Sequence, residues 1–497
     1  MTSPSQSLES YFYVYSSDRN GDSRPITFPR EASKETGTQK RILEIVSSLA
    51  FICVSQAEGE VYATAIRTER SLSEDSAVIY LAGNHGVPDS TAKYLQSVLA
   101  QLAAISRSQP TGRDQSPELN GAILRDDGQK LGMTILRHTF PKFLNSLTKR
   151  DYAWNTRVEA IRGQLADSPD RLKLFGLIEK GLLVIYESAA RYRANTDDTS
   201  LKRLYEGLSV FETFIRRGMS SDKLSILLED LDRTTAYYPW SANSDLVDDD
   251  LELDVNDNNA LQTGFSMTRF IYRIIAVNIH IRRLLRLAVS STFQSLFVKD
   301  PSIYCCPPAE ISVHVDPAAL THALNLDGLM SLDDSAATVT GPLHAELCIF
   351  TALLRGVLCE GSAPYWVIGV SKLMCVGCHI LIAKAFPRVL QKYSSGLKPF
   401  AVQGTHGKMY RPWVAPNLTF ATTHLRFDLD HEIRECSKDL LVTALKEYVE
   451  QRRLSDSSIG SGTSDKKDSE ALGDDSYERT MDILDQDNKQ HPPNDDA

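Results

Sequence analysis

Gly341-Pro342-Leu343-His344-Ala345-Glu346-Leu347-Cys348, then Tyr365-Trp366-Val367-Ile368-Gly369-Val370-Ser371-Lys372-Leu373-Met374-Cys375-Val376-Gly377-Cys378, places an H-x-E ahead of a C-x-x-C. Between Glu346 and Cys375 lie 28 residues. Two cysteines three apart on a first helical turn can turn both sulfurs toward one metal, and the free N–H groups and dipole of a helix N-terminus favour thiolates there. An imidazole from His344 makes a third ligand and leaves one tetrahedral position for water, the arrangement of a catalytic rather than a closed structural zinc. A carboxylate two residues from a metal-bound histidine reaches that water without being a ligand, so Glu346 is the expected proton carrier. A structural zinc closed by Cys348, Cys359 or His379 is the alternative the same residues allow.

The flanking sequence has the matching architecture. Gly341-Pro342 reads as a helix start and Leu343–Leu354 as an apolar-rich helix. Tyr365–Val370 reads as a continuous buried strand, and Cys375 opens the apolar helix Cys378–Phe386. Helix, strand and helix, with ligands at both helix N-termini, would bring the two motifs together beside one strand end. Cys375-Val376-Gly377-Cys378-His379 also matches the c-type haem attachment pattern. Haem is not expected, because such attachment normally requires export, the polar and aromatic N-terminus lacks the form of an export signal, and haem leaves the H-x-E unexplained.

The H-A-E and S-K-x-x-C-x-x-C pair resembles the zinc-dependent cytidine/nucleotide deaminase-like superfamily, in particular its fungal OTT-like nucleic-acid deaminase branch. Gly404-Thr405-His406-Gly407-Lys408 and Pro412-Trp413-Val414-Ala415-Pro416 resemble that branch too. The resemblance covers roughly residues 260–450. It implies a mixed sheet with helices on both faces, Zn2+ held by His344, Cys375 and Cys378, and Glu346 as proton shuttle. The reaction implied is hydrolytic: zinc-bound hydroxide attacks an amidine carbon, C4 of cytosine or C6 of adenine, and ammonia leaves. Met374 stands where most members carry proline, which pre-sets a helix start; methionine does not forbid one. Ser371 and Lys372, past the strand end, are candidates for substrate contact or a plain turn. His406 and Trp413 are candidates for a base pocket, or an ordinary turn histidine and core tryptophan.

Composition bounds what surrounds this site. The chain has 497 residues, 42% hydrophobic and 24% charged, values ordinary for a globular protein, and eight cysteines are too sparse for a disulfide scaffold. No window offers the ~20 nearly uncharged apolar residues of a membrane span. No membrane partner is expected, and an intracellular location is, with nucleus and cytoplasm not distinguished. The net charge of −10 is uneven: Asp245–Asp257 holds seven acids and no base, whereas Gly361–Phe427 holds eight Lys or Arg and no acid. The latter suits a phosphate-bearing substrate, a nucleotide or a single-stranded nucleic acid, and equally a solvated basic face.

The expected fold class is α/β. Residues 1–38 are read as a poorly ordered lead-in and 39–240 as a mostly helical region with short strands at Val61–Thr68 and Ser76–Ala82. An acidic linker at 241–258, a deaminase-like zinc domain at 259–453 and a disordered acidic tail at 454–497 complete the expected organisation. The helical region exceeds what such a domain requires and is the expected surface for a homo-oligomeric or protein partner. The competing function is therefore a catalytically inactive deaminase-fold interaction module with structural zinc.

Overall fold

The computed structural model describes residues 7–15, 31–32, 37–56, 59–70, 75–108, 117–148, 151–219, 222–235, 267–290, 293, 296–297, 299–316, 320, 337–360, 363–393, 397–405 and 412–457. The expected linker at 241–258 and nearly all of the expected tail lie outside them. The chain divides into two compact units. One comprises Met1–Ala50, Val61–Ala92 and Pro301–Asp475; the other comprises Phe51–Glu60, Lys93–Asp300 and Ser476–Ala497. No helix among the described residues is long and apolar enough to cross a membrane.

The first unit is built on a mixed sheet. In chain order the strands are β1 (Glu31–Ala32), β2 (Tyr62–Arg70), β3 (Asp75–Gly83), β4 (Ser302–Cys305), β5 (Glu310–Val315), β6 (Ala337–Pro342), β7 (Ala363–Pro364), β8 (Val367–Val370), β9 (Ala401–Val402) and β10 (Gly404–Thr405). The main sheet runs β4-β3-β2-β8-β9, with β7 also on β2. β2 pairs antiparallel with β3 and β8, while the outer pairs β3–β4 and β8–β9 are parallel. Parallel neighbours require crossover connections, which place helices on the faces. Both strands of the central hairpin are accordingly buried without alternation: from Tyr62 to Ile66 and from Ala77 to Gly83 every residue is buried.

One face carries the helix Ala345–Glu360, whose Leu347, Ile349, Phe350, Leu353 and Leu354 are buried. The helix Gly37–Ile52 approaches the sheet closely. Thr64 Oγ1 donates to Val46 O, and a Cβ on Gly369 would lie 2.3 Å from Ser47 N and 2.4 Å from Val46 C. Glycine in the middle of β8 is thus what lets a helix backbone rest on the strand. Past β8 the chain enters the short helix Val376–His379 and a π-helical turn, Ile380–Ala385, before the helix Phe386–Tyr393.

The structure departs from the expected boundaries in three places. The hairpin of β2 and β3, read within the helical N-terminal region, supplies the centre of the sheet that also contains β8. Leu8–Tyr15, within the stretch expected to be poorly ordered, is a helix: Leu8 and Phe12, one turn apart, are buried, and buried Glu9 pairs with Arg434 at 3.1 Å. Gly341-Pro342 closes strand β6 rather than opening a helix, which begins at Ala345. Proline is tolerated at such a strand end because no ladder partner is needed from its nitrogen.

The second unit is helical, as read from the sequence. Its long helices include Pro117–Thr148, Pro169–Asn195, Asp198–Met219 and Met267–Val289. Phe175, Ile178, Leu182, Ile185 and Ala189 form one buried stripe, and Leu201, Leu204, Leu208, Phe211 and Ile215 another. Thr196, in the left-handed region at φ 53°, ends the first helix with its N–H on Tyr192 O.

Replacing Gly369 with alanine would drive a methyl into the backbone at Val46 and Ser47, at a cost of about 1–3 kcal/mol for such overpacking. A thermal unfolding scan of Gly369→Ala should show the transition of the sheet-containing unit shifted downward; an unchanged scan would disprove the close approach.

Candidate active site

Two helix N-termini meet at the end of β8. The helix Ala345–Glu360 is opened by His344, whose carbonyl accepts from the N–H groups of Leu347 and Cys348 at 2.9 and 3.0 Å. Its first free N–H, that of Ala345, donates to Asn84 Oδ1 at 2.9 Å. Asn84 follows β3, so the central hairpin fixes where this helix begins. Cys375 caps the second helix: its sulfur accepts from Cys378 N–H at 3.5 Å, and its carbonyl accepts from His379 N–H at 3.0 Å.

These two starts bring four donor atoms together. The Cys375 and Cys378 sulfurs are 3.3 Å apart, and each lies 3.4 Å from His344 Nδ1. With a Glu346 carboxylate oxygen, the donor atoms of all four residues lie within 4.8 Å of one another. Glu346, Cys375 and Cys378 are buried, and His344 keeps partial solvent access.

The donor set fits a metal. Atoms sharing a tetrahedral ion at about 2.0–2.3 Å stand roughly 3.3–3.8 Å from one another, the spacing these three have. Two sulfurs and an imidazole nitrogen suit a soft or borderline divalent cation. Glu346 Oε2 has no hydrogen-bond partner among the described residues although it is buried. An ionised carboxylate in that position is costly unless a cation or a bound polar molecule compensates it. Burial raises the Glu346 carboxyl above its ordinary range, opposed by the neighbouring His344 charge. Burial also works against the charged forms of His344 and Cys375, but their neighbours prevail. The Cys375 charge raises the imidazole to about 9, and the Cys378 hydrogen bond, followed by the His344 charge, holds the Cys375 thiol well below its usual value.

The cluster's fourth member is Glu346. Cys348 donates to Leu343 O at 3.5 Å, Cys359 is exposed, and neither they nor His379 joins the group.

The remaining candidates separate. Trp413 is buried, and its indole N–H donates to Cys378 Sγ at 3.5 Å. Ser371 Oγ accepts from Tyr62 N–H at 3.0 Å, so its hydroxyl oxygen ties β8 to β2. Lys372 is half-buried and makes interactions of its own. His406 lies outside the described residues.

Asn84 and the Gly404 and Thr405 partners of Met374 support the cluster structurally, and no spacing in the sequence marks them. Met374 N–H donates to Gly404 O at 3.2 Å, and Thr405 Oγ1 donates to Met374 O at 2.8 Å. Proline at 374 could not make the first bond. The loop entering the C-x-x-C is held by strand-like pairing where a proline would hold it by ring geometry. No local signal marks Asn84, because its partner is 261 residues away.

Two outcomes check this geometry. Cys375→Ser should lose most of the metal that the full chain binds, measured by elemental analysis after dialysis against a weak chelator; equal metal in both would remove Cys375 from the site. Met374→Pro should lose about 1–3 kcal/mol of stability through the unpaired Gly404 carbonyl, seen in denaturant midpoints, and a neutral result would disprove the anchor.

Residues 343–417 match the family described as OTT_1508_deam-like deaminase. No curated protein and no solved structure matches the chain. The matched segment begins one residue before His344 and contains Glu346, Cys375, Cys378 and Trp413, so the four-residue cluster lies wholly within it. Over these residues the chain is similar to the deaminase-like superfamily, and the His/Glu/Cys cluster lies within the similar part.

Proposed function

We propose that the protein is a zinc-dependent hydrolytic deaminase acting on a nucleobase within a nucleotide or a single-stranded nucleic acid. The observation that carries this reading is the placement of Glu346: a buried carboxylate, one oxygen unpaired, beside two sulfurs and an imidazole. A purely structural metal site has no use for such a group.

His344, Cys375 and Cys378 would hold zinc, leaving one coordination position open. When bound, zinc supplies Lewis acidity that brings the pKa of water close to neutrality. Glu346 Oε2 takes the proton that the attacking water gives up and passes it to the departing amino group, which leaves as ammonia. The same oxygen then returns to its starting state. Burial of Glu346 keeps bulk water from competing for that proton, and the backbone bonds around His344 and Cys375 hold the donor atoms in place before substrate arrives. The acid-free stretch Gly361–Phe427, with its eight basic residues, supports a phosphate-bearing substrate.

The inactive interaction module with structural zinc is supported by the helical unit, far larger than a four-residue site requires. Glu346→Gln distinguishes the two. As an enzyme, the variant should retain about one zinc per chain while ammonia release falls ~100- to 10,000-fold. The assay covers cytosine- and adenine-containing nucleosides, nucleotides and single-stranded oligonucleotides. Zinc in the wild type without ammonia release from any of them would overturn the enzyme reading in favour of the module.

A further inference from the structure

The Trp413 indole is built against the second cysteine of the cluster from two sides. Its N–H donates to Cys378 Sγ at 3.5 Å, and the tryptophan is 5% exposed, so no water replaces that bond freely. On the cysteine side the approach depends on Gly377. A Cβ there would lie 2.5 Å from Trp413 Nε1 and 2.6 Å from its Cε2, closer than any side chain permits. The residue just before the second cysteine is therefore small enough for an indole to lie along the first helical turn.

On the far side the ring rests on Phe12, with centroids 4.0 Å apart and planes inclined by 47°. Phe12 belongs to the helix Leu8–Tyr15, which is bound to the segment following Trp413. Glu9 Oε1 accepts from Ala415 N–H at 3.2 Å and from Arg434 Nη1 at 3.1 Å, and Arg434 Nη2 donates to Pro416 O at 3.0 Å. The N-terminal helix thus fastens the backbone on which the tryptophan sits.

Resting on the metal-site reading above, we infer that Trp413 is a positioning residue for Cys378. It orients the sulfur and stabilises its negative charge by a hydrogen bond, and Phe12 and Gly377 hold the indole in place. Hydrogen bonds to metal-ligating groups fix their orientation and tune the metal, and losing one commonly lowers metal affinity 10- to 100-fold.

The test uses full-length protein carrying Co2+, a spectroscopic stand-in for zinc, with ¹⁵N label on the indoles. Trp413→Phe keeps a ring against Phe12 and removes only the N–H donor. It should still bind about one cobalt, but roughly tenfold more weakly, with the sulfur-to-cobalt charge-transfer band moved to lower energy. Gly377→Ala, which keeps the tryptophan but blocks its approach, should move the band the same way. For wild type loaded with ¹¹³Cd2+, one indole N–H resonance should shift on loading and couple to the cadmium, and it should be the one missing from Trp413→Phe. This measurement needs no variant to bind metal.

An unchanged band and affinity in Trp413→Phe, or indole resonances that ignore cadmium, would overturn the inference while leaving the metal site intact. Wild type that binds neither cobalt nor cadmium would overturn the metal-site reading, and this inference with it.

Discussion

Two thiols and an imidazole held 3.3–3.4 Å apart, with a carboxylate beside them, are a combination that water-excluding packing alone does not favour. Each group is costly to bury in charged form, yet the chain brings all four to one point. To do so it must aim two helix N-termini at the same place, and that requirement organises the unit around it. β8 lies between the two helices in the chain and provides the stretch from which the second departs. The hairpin of β2 and β3 supplies the surface on which the first helix rests, and Asn84 at the hairpin's end receives that helix's first N–H. The sheet is thus a device for setting the distance between His344 and Cys375.

The supports of the two halves differ in kind. The His344 side is held by helix-terminal hydrogen bonds, the carbonyl of His344 serving its own first turn and Asn84 receiving the N–H of Ala345. The Cys375 side is held by a strand-like pairing of Met374 with Gly404 and Thr405, and by an indole laid over Gly377. Both supports of the second half come from residues beyond 400, within the segment matched to the deaminase family. The helix Leu8–Tyr15 lies outside that segment and still reaches it through Glu9, Phe12 and Arg434. The deaminase-like part of this chain is therefore not self-contained in sequence. It recruits a helix from the start of the chain and two central strands from residues 62–83.

Much of the site was legible from residue order. His344, Glu346, Cys375 and Cys378 stand out by type and spacing, and the buried run that forms β8 is readable from its unbroken apolar character. The helical stripes of the second unit were readable for the same reason: periodicity is written locally. What escaped is long-range. Glu9 binds Ala415 across 406 positions, Asn84 binds Ala345 across 261, and Trp413 meets Cys378 across 35. None leaves a repeat or a spacing that a single chain displays. The start of the chain is hard to read on similar grounds, since a short polar and aromatic stretch looks like a lead-in until a partner buries one of its faces.

By itself the sequence determined which donor atoms the cluster contains: two sulfurs, an imidazole and a carboxylate, at spacings that suit helix first turns. It also determined that a continuous apolar strand stands between the two motifs. Tertiary structure decided which strands complete the sheet, which residue caps the first helix, and that Trp413 faces a sulfur. It also decided that the fourth place in the cluster belongs to Glu346 and not to Cys348, Cys359 or His379. The physical reason is that side-chain direction at a helix start follows from local backbone geometry. Contacts closed across tens to hundreds of residues follow only from how packed surfaces fit.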